Sequence, residues 1–300
     1  MGNVKSRRQR IKHSKKRRRK YLAVLAKLLM ILVIAAFVGN ISGAKNRELS
    51  AAVIDTAEKQ TADQDDMPDN GLVFRDTDGG VMAAGYKGDG QMIVIPETCQ
   101  GRSVLEIGES CFAMQGALKS VAIPDSVTTI GVCAFGLCGS LKNVHIPENV
   151  TVIRKQAFAS CIDLESITIP DGVTAIEKET FIYCESLRDV VIPESVAEIG
   201  EKAFQECESL EYIAIPGSVE RIGERAFAGC TNLEAMKLSE GVREIDKDAF
   251  AGCTSLRTVE IPDSVIALDR AFRGDDIVVI YRGNIYTKDN MDELYGWFQR

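Results

Sequence analysis

The chain is 300 residues long, 45% hydrophobic and 26% charged, a composition that belongs to a folded protein and excludes collagen-like or linker-dominated ones. The net charge of −7 conceals two opposed parts: residues 1–44 hold 12 Lys/Arg and no Asp/Glu, which leaves 24 basic and 43 acidic side chains in the remaining 256 residues. The acidic body argues against nucleic-acid binding, and a chain whose only histidines are His13 and His145 has little scope for His-based triads or zinc sites.

Residues 1–20 form a basic segment, with eleven cationic side chains between Lys5 and Lys20. It abuts residues 21–44, whose part Tyr21–Gly39 is apolar apart from Lys27. Nineteen residues of helix span about 28 Å, close to the hydrocarbon thickness of a bilayer. Lys27 lies near the basic end, where a long side chain snorkels to the headgroups. Positive charge marks the cytoplasmic side, so the chain after Gly39 is expected outside the cell. Ser42 and Ala44 also suit a signal-peptidase site. Both outcomes fit: a single-pass anchor with its N-terminus inside, or secretion after cleavage near Ala44. Residues 45–70 are polar and acidic and read as a flexible linker.

Self-similarity then dominates. Pro124, Pro147, Pro170, Pro193 and Pro216 recur every 23 residues, Ser239 takes the next position and Pro262 the one after. Phe112, Phe135, Phe158, Phe181, Phe204, Phe227 and Phe250 keep the same step, as do Leu118 through Leu256. The unit reads L-x-x-V/I-x-I-P-x-S/G-V-x-x-I-G-x-x-A-F-x-x-C-x-x. Its first part suits a short strand with alternate side chains inward, proline stops that strand, and V-x-x-I-G makes a second inward-facing segment. The glycine is expected to permit a tight corner, with A-F filling the centre of the coil. One turn cannot bury these faces alone, but stacked turns share a core. Seven or eight coils at strand spacing make a rod of roughly 35–40 Å.

The 23-residue unit resembles the BspA-like leucine-rich repeat family, over about residues 71–287. The resemblance implies a mainly-β repeat solenoid over residues 71–288, with caps at both ends. Gly85-Tyr86-Lys87-Gly88, Ile93-Val94-Ile95-Pro96 and a longer loop from Thr98 to Arg102 look like its N-terminal cap. Ile277–Tyr286 resembles its closing strands, and Met291–Phe298, within a segment 289–300, a capping helix. The departures are Ser239 for Pro, Gln115 for Cys, and one residue lost between Val265 and Phe272.

Nine cysteines in an exported chain invite a disulfide framework, but six of them, Cys138, Cys161, Cys184, Cys207, Cys230 and Cys253, each lie three residues after a repeat Phe. They read as a structural ladder of buried small hydrophobes beside Phe135, Phe158, Phe181, Phe204, Phe227 and Phe250. Ligands strung along a line do not converge on a metal. Cys111 occupies the Ala column and is expected to be buried. Cys99 and Cys133 are expected to be the exposed thiols, and a bridge between them is the weaker alternative.

No phosphate loop, G-x-S-x-G, paired CxxC or H-E-x-x-H motif occurs, and no cofactor or metal is implied, so the chain reads as non-catalytic. Function is expected on the outward strand columns. One runs Ser120, Asn143, Ser166, Asp189, Tyr212, Ala235, Thr258, and the other Ala122, His145, Thr168, Val191, Ala214, Lys237, Glu260. Tyr212, His145, Asn143, Asp189 and Lys237 are the candidate ligand-face residues. Ile182 and Tyr183 read as an exposed apolar pair on another side, either a contact patch or a locally deeper core. The resemblance implies a cell-surface module that binds a protein or glycan, an adhesin for instance. The alternative is a scaffolding component of the cell envelope, held to the membrane by its N-terminal helix.

Overall fold

Each repeat carries three apolar groups, so its coil must bend three times to turn them all to one centre. The structure, a computed structural model, describes residues 71–273 and 277–299. The expected basic segment, the apolar helix of 21–44 and the acidic linker lie outside the described residues. Among the described residues no helix is long and apolar enough to cross a membrane. The chain divides into two units, Met1–Leu49 and Ser50–Arg300, and the description concerns the second.

The N-terminal end is a hairpin of β1 (Leu72–Thr77) and β2 (Gly80–Tyr86), followed by β3 (Met92–Val94), β4 (Thr98–Cys99) and β5 (Arg102–Ile107). From there the chain alternates between two sheets. The L-x-x-V-x-I part of successive repeats supplies β6 (Ser120–Ala122), β8 (Asn143–His145), β10 (Ser166–Thr168), β12 (Asp189–Val191), β14 (Tyr212–Ile215), β16 (Ala235–Leu238) and β18 (Thr258–Ile261). Between them fall two-residue strands from V-x-x-I: β7 (Thr129–Ile130), β9 (Val152–Ile153), β11 (Ala175–Ile176), β13 (Glu198–Ile199), β15 (Arg221–Ile222), β17 (Glu244–Ile245) and β19 (Ala267–Leu268). The strands β20 (Val278–Tyr281) and β21 (Asn284–Tyr286) and the helix α1 (Met291–Phe298) close the far end.

Pairing between coils is parallel and steps by one repeat, as in Ser120 with Asn143 or Ile199 with Ile222. The first sheet is the row β3, β6, β8, β10, β12, then β14 with β16, then β18, β20 and β21. The second sheet takes the short strands, and among them β11, β13, β15, β17 and β19 form one continuous row. A third row of bonds runs through the turn around each Phe, where Phe135 N–H donates to Ala157 O at 2.8 Å and Phe204 N–H to Ala226 O at 2.7 Å. Where both sheets pair, a coil is therefore tied to the next on three sides, and the row of bonds through the Phe turns continues where a sheet is interrupted.

The corners differ from expectation. Gly131, Gly200 and Gly223 have ordinary backbone angles. They matter because a Cβ there would lie within 2.7–2.9 Å of the preceding coil's backbone. The corners are made by two left-handed positions flanking the Phe. One holds Ser110, Cys133, Gln156, Glu179, Lys202, Arg225, Asp248 and Arg270, the other Met114, Leu137, Ser160, Tyr183 and Glu206, then Gly229 and Gly252. Mostly non-glycine residues bear this conformation, held by the turn's bonds on both sides.

Inside, Phe112, Phe135, Phe158, Phe181, Phe204, Phe227, Phe250 and Phe272 are buried and form one stack, with centroids 5.2–5.5 Å apart and planes within 13° of parallel. The missing residue before Phe272 does not interrupt it: Phe250 and Phe272 lie 5.3 Å apart. Tyr86 tilts onto Phe112 at 5.6 Å and closes the stack at the N-terminal end. At the other end the Tyr295 hydroxyl on α1 donates to Phe272 O at 2.9 Å and accepts from Phe272 N–H at 3.2 Å, so the backbone of the last stacked Phe is satisfied by the cap.

Candidate recognition surface

The cysteine ladder is chemically quiet. Cys138, Cys161, Cys184, Cys207, Cys230 and Cys253 are buried, and each thiol donates to the carbonyl of a Phe 26 residues earlier, at 3.0–3.3 Å. The side chain thus acts as a hydrogen-bond donor as well as a small hydrophobe. Burial pushes the thiols of Cys111, Cys138 and Cys184 up to about 12, and those of Cys161, Cys207 and Cys230 well above the ordinary value. The column's departure, Gln115, stands in the first of these coils, next to the N-terminal cap.

All nine cysteines carry thiols. Cys99 is half-buried, but Cys133 is not the exposed thiol expected. It is only 7% exposed, and its Sγ contacts Gln156 Oε1 of the next coil at 3.3 Å. Its column is covered by the longer side chains of its neighbours, and a short one sinks beneath them. Ile182 and Tyr183 are likewise half-buried, a deeper edge of the core and not an exposed patch. Among the described residues no cluster of His, Cys, Asp and Glu has the form of a metal site.

The outward columns of the first sheet point to solvent. Asn143 and His145 share one face of β8 and are exposed, as are Asp189 on β12, Tyr212 on β14 and Lys237 on β16. These five do not converge on a point. They sit on four of the five successive strands from β8 to β16, a span of about 20 Å at strand spacing. Tyr212 pairs in register with Ala235, and Ala214 with Lys237. Charge is sparse on this face: besides Asp189 and Lys237 the two columns carry only Glu260.

The second sheet is the opposite case. Over Ala175, Gly200 and Gly223 lies a shallow depression of about 510 Å³ crossed by ion pairs between coils. Arg154 meets Glu177 at 3.2 Å, Lys178 meets Glu201 at 2.6 Å, and Arg221 meets Asp246 at 2.7 Å. The Lys178–Glu201 bond raises the ammonium's pKa and lowers the carboxylate's. Arg221 is also shared with Glu198 and Glu244, and this pairing from coil to coil reads as structural.

Two features of the first sheet escaped the repeat pattern. Strand pairing is missing between β16 and β18 and again between β12 and β14. There Val190 and Ile192, inward by the pattern, are only half-buried, and Val191 and Tyr212 stand 56% and 53% exposed. The second feature is a row of carboxylates following the repeat proline: Asp125, Glu148, Asp171, Glu194, Glu240 and Asp263, all exposed, with Gly217 in the fifth place. The row was legible in the sequence as a column that is neither apolar nor variable in charge. The opening between β12 and β14 has no sequence signal, because Val190 and Ile192 are ordinary residues for their columns.

The sequence matches the family described as the BspA type leucine rich repeat region, in six copies over residues 105–234 and 151–276. Among solved structures, the leucine-rich-repeat protein TpLRR of T. pallidum is 31% identical with a TM-score of 0.60, covering 66% of this chain and 92% of its own. A leucine-rich-repeat protein from Bacteroides ovatus is 25% identical with a TM-score of 0.54, covering 73% of this chain and 67% of its own. Among curated proteins none matches.

Proposed function

We propose, from the premise that this chain belongs to the BspA type leucine-rich-repeat family, that the exposed face of its first sheet is a recognition surface for another macromolecule at the cell surface. Leucine-rich-repeat proteins typically mediate protein interactions, and the family is generally non-enzymatic. The observation that carries the reading is the contrast between the two sheets. Charges on the second are paired with one another, whereas the first presents Tyr212, Val191, His145 and Asn143 to solvent with few charges. Burying such a face costs little desolvation, and an exposed tyrosine is a common interface anchor. The adhesin role, a location outside the cytoplasm and the candidate residues Asp189 and Lys237 form part of this proposal.

The test is binding of the full chain to arrays of matrix proteins, glycans and envelope fractions, alongside Tyr212→Ala and His145→Ala. Saturable capture of a foreign or host protein, weakened by Tyr212→Ala, is the expected result. Capture confined to the producing cell's own envelope supports the scaffold alternative. Capture unaltered by changes on the first sheet sinks this reading of the face.

A further inference from the structure

The first sheet's exposed face has a charged border of one sign and a repeat distance set by the coils. Asp125, Glu148, Asp171, Glu194, Glu240 and Asp263 follow the strands out of the sheet on successive coils, broken only at Gly217. That adjacent members of the column lie together is shown by Asn149, next to Glu148, whose Nδ2 donates to Asp125 O at 2.9 Å. Among the described residues Asp263 is the one member with an ion pair, to Arg282 at 3.5 Å. Among the described residues the other five form no ion pair, although the Glu240 carboxylate accepts from the backbone N–H groups of Asp263 and Ser264. The break at Gly217 falls in the coil that carries Tyr212. There, beside the opening between β12 and β14, Val191, Tyr212, Ala214 and Ala235 make an uncharged exposed stretch.

We propose that this face docks a basic amphipathic α-helix of a partner protein, laid along the solenoid axis with one helical turn to each coil. The inference rests on the recognition reading above and gives that partner its chemistry. Two observations select the occupant. Charge complementarity calls for Lys or Arg along the carboxylate border and apolar side chains over Val191 and Tyr212. Spacing favours a helix: successive rings lie 5.2–5.5 Å apart and paired strands on the face about 4.8 Å, both nearer the roughly 5.4 Å advance of an α-helical turn than the repeat of an extended strand. An extended strand presents same-side residues about 6.8 Å apart and falls out of step within about three coils. A helix keeps one cation facing each carboxylate and one apolar residue facing the sheet, turn after turn.

The experiment uses the full-length chain and a labelled 18-residue peptide of Lys and Leu, with Lys once per turn on one side and Leu on the other. Two further peptides serve as comparison, a scramble of the same composition and one with Glu for Lys. Anisotropy gives affinity at low and physiological salt, and circular dichroism gives peptide helicity. The expected result is that the amphipathic Lys peptide binds about tenfold more tightly than its scramble and gains helix on binding. Joint replacement Glu148→Gln, Asp171→Asn and Glu194→Gln weakens it about tenfold, and Tyr212→Ala several-fold. Glu198→Gln on the second sheet leaves it unchanged. Equal affinity for the scramble, no gain of helix, or indifference to the triple replacement overturns the proposal. If the array partner is lost with Tyr212→Ala but not with the triple replacement, recognition by the first sheet stands and the basic helix falls. If neither change affects capture, both fall.

Discussion

A thiol in the ladder column satisfies two demands that no other small side chain meets as cheaply. It fills the volume of a small apolar residue, and it donates weakly to the Phe carbonyl of the preceding coil. Because the other eight thiols are buried, a thiol reagent at pH 8 should modify Cys99 promptly in the folded protein and reach them only on unfolding. Prompt labelling of two or more sites by mass spectrometry contradicts the burial described here. The left-handed positions support a second test. Met114 is 67% exposed with φ 68°, so Met114→Gly relieves a strained backbone and should raise stability by about 0.5–1 kcal/mol in urea denaturation. Gly229→Ala should act in the opposite sense, since φ is +77° and its Cβ would sit 2.6 Å from the Glu206 carboxylate. Sequence spacing was enough to place the ladder cysteines inside. It misjudged Cys133 because what covers that thiol is Gln156, a residue of the next coil, and no rule of composition tells how neighbouring coils lean on one another.

Among elements, the Phe turn does more than the strands to define the coil. The strands of the second sheet are two residues long and the first sheet is broken between β12 and β14, yet the ring stack runs through unbroken, with Phe181 and Phe204 at 5.3 Å. Truncation of Phe204 to Ala should cost about 3–5 kcal/mol, since stacked rings on both sides hold the cavity open. An unchanged melting temperature would refute the inward placement of the column. The same coils carry an electrostatic cost. Glu185 and Glu206 have raised pKa values, through burial first and then through the neighbouring carboxylates, Glu208 among them. The folded chain therefore holds these protons more tightly than the unfolded chain does. Stability falls as pH rises through the range above the ordinary carboxylate value and is insensitive below it. Glu208→Gln should raise the melting temperature near neutral pH, and the gain should fade as pH falls below the ordinary carboxylate range, where Glu185 and Glu206 are protonated in both states. The 23-residue period made both inward faces and the Phe column readable in advance. The corners were not readable, because a backbone that turns left-handed at Lys202 or Glu206 leaves no compositional mark.

For the molecule as a whole, the outward face was legible as two columns of variable residues, and exposure at Asn143, His145, Asp189, Tyr212 and Lys237 agrees with that reading. The opening between β12 and β14 was not, since it arises from how whole coils rest on each other. Stability of a stack also depends on its ends. Tyr295→Phe removes both bonds to the backbone of Phe272, where the coil is buried, and should lower stability by about 1–3 kcal/mol in denaturant unfolding. A loss no larger than that of an exposed Tyr→Phe change would show that α1 covers the end without tying it. There is a further consequence of stacking Phe on Phe and Cys beneath Cys over so many turns. Such a chain is nearly periodic along its own axis, so a strand displaced by one whole repeat meets the same partners it would have met at home. Interior chemistry alone cannot tell the native alignment from its translated copies. What distinguishes them are the irregular places: Tyr86 ahead of the first ring, Gln115 where the thiol is missing, Ser239 without its proline, the shortened step to Phe272, and Tyr295 at the close. The departures from the repeat are thus its reading frame.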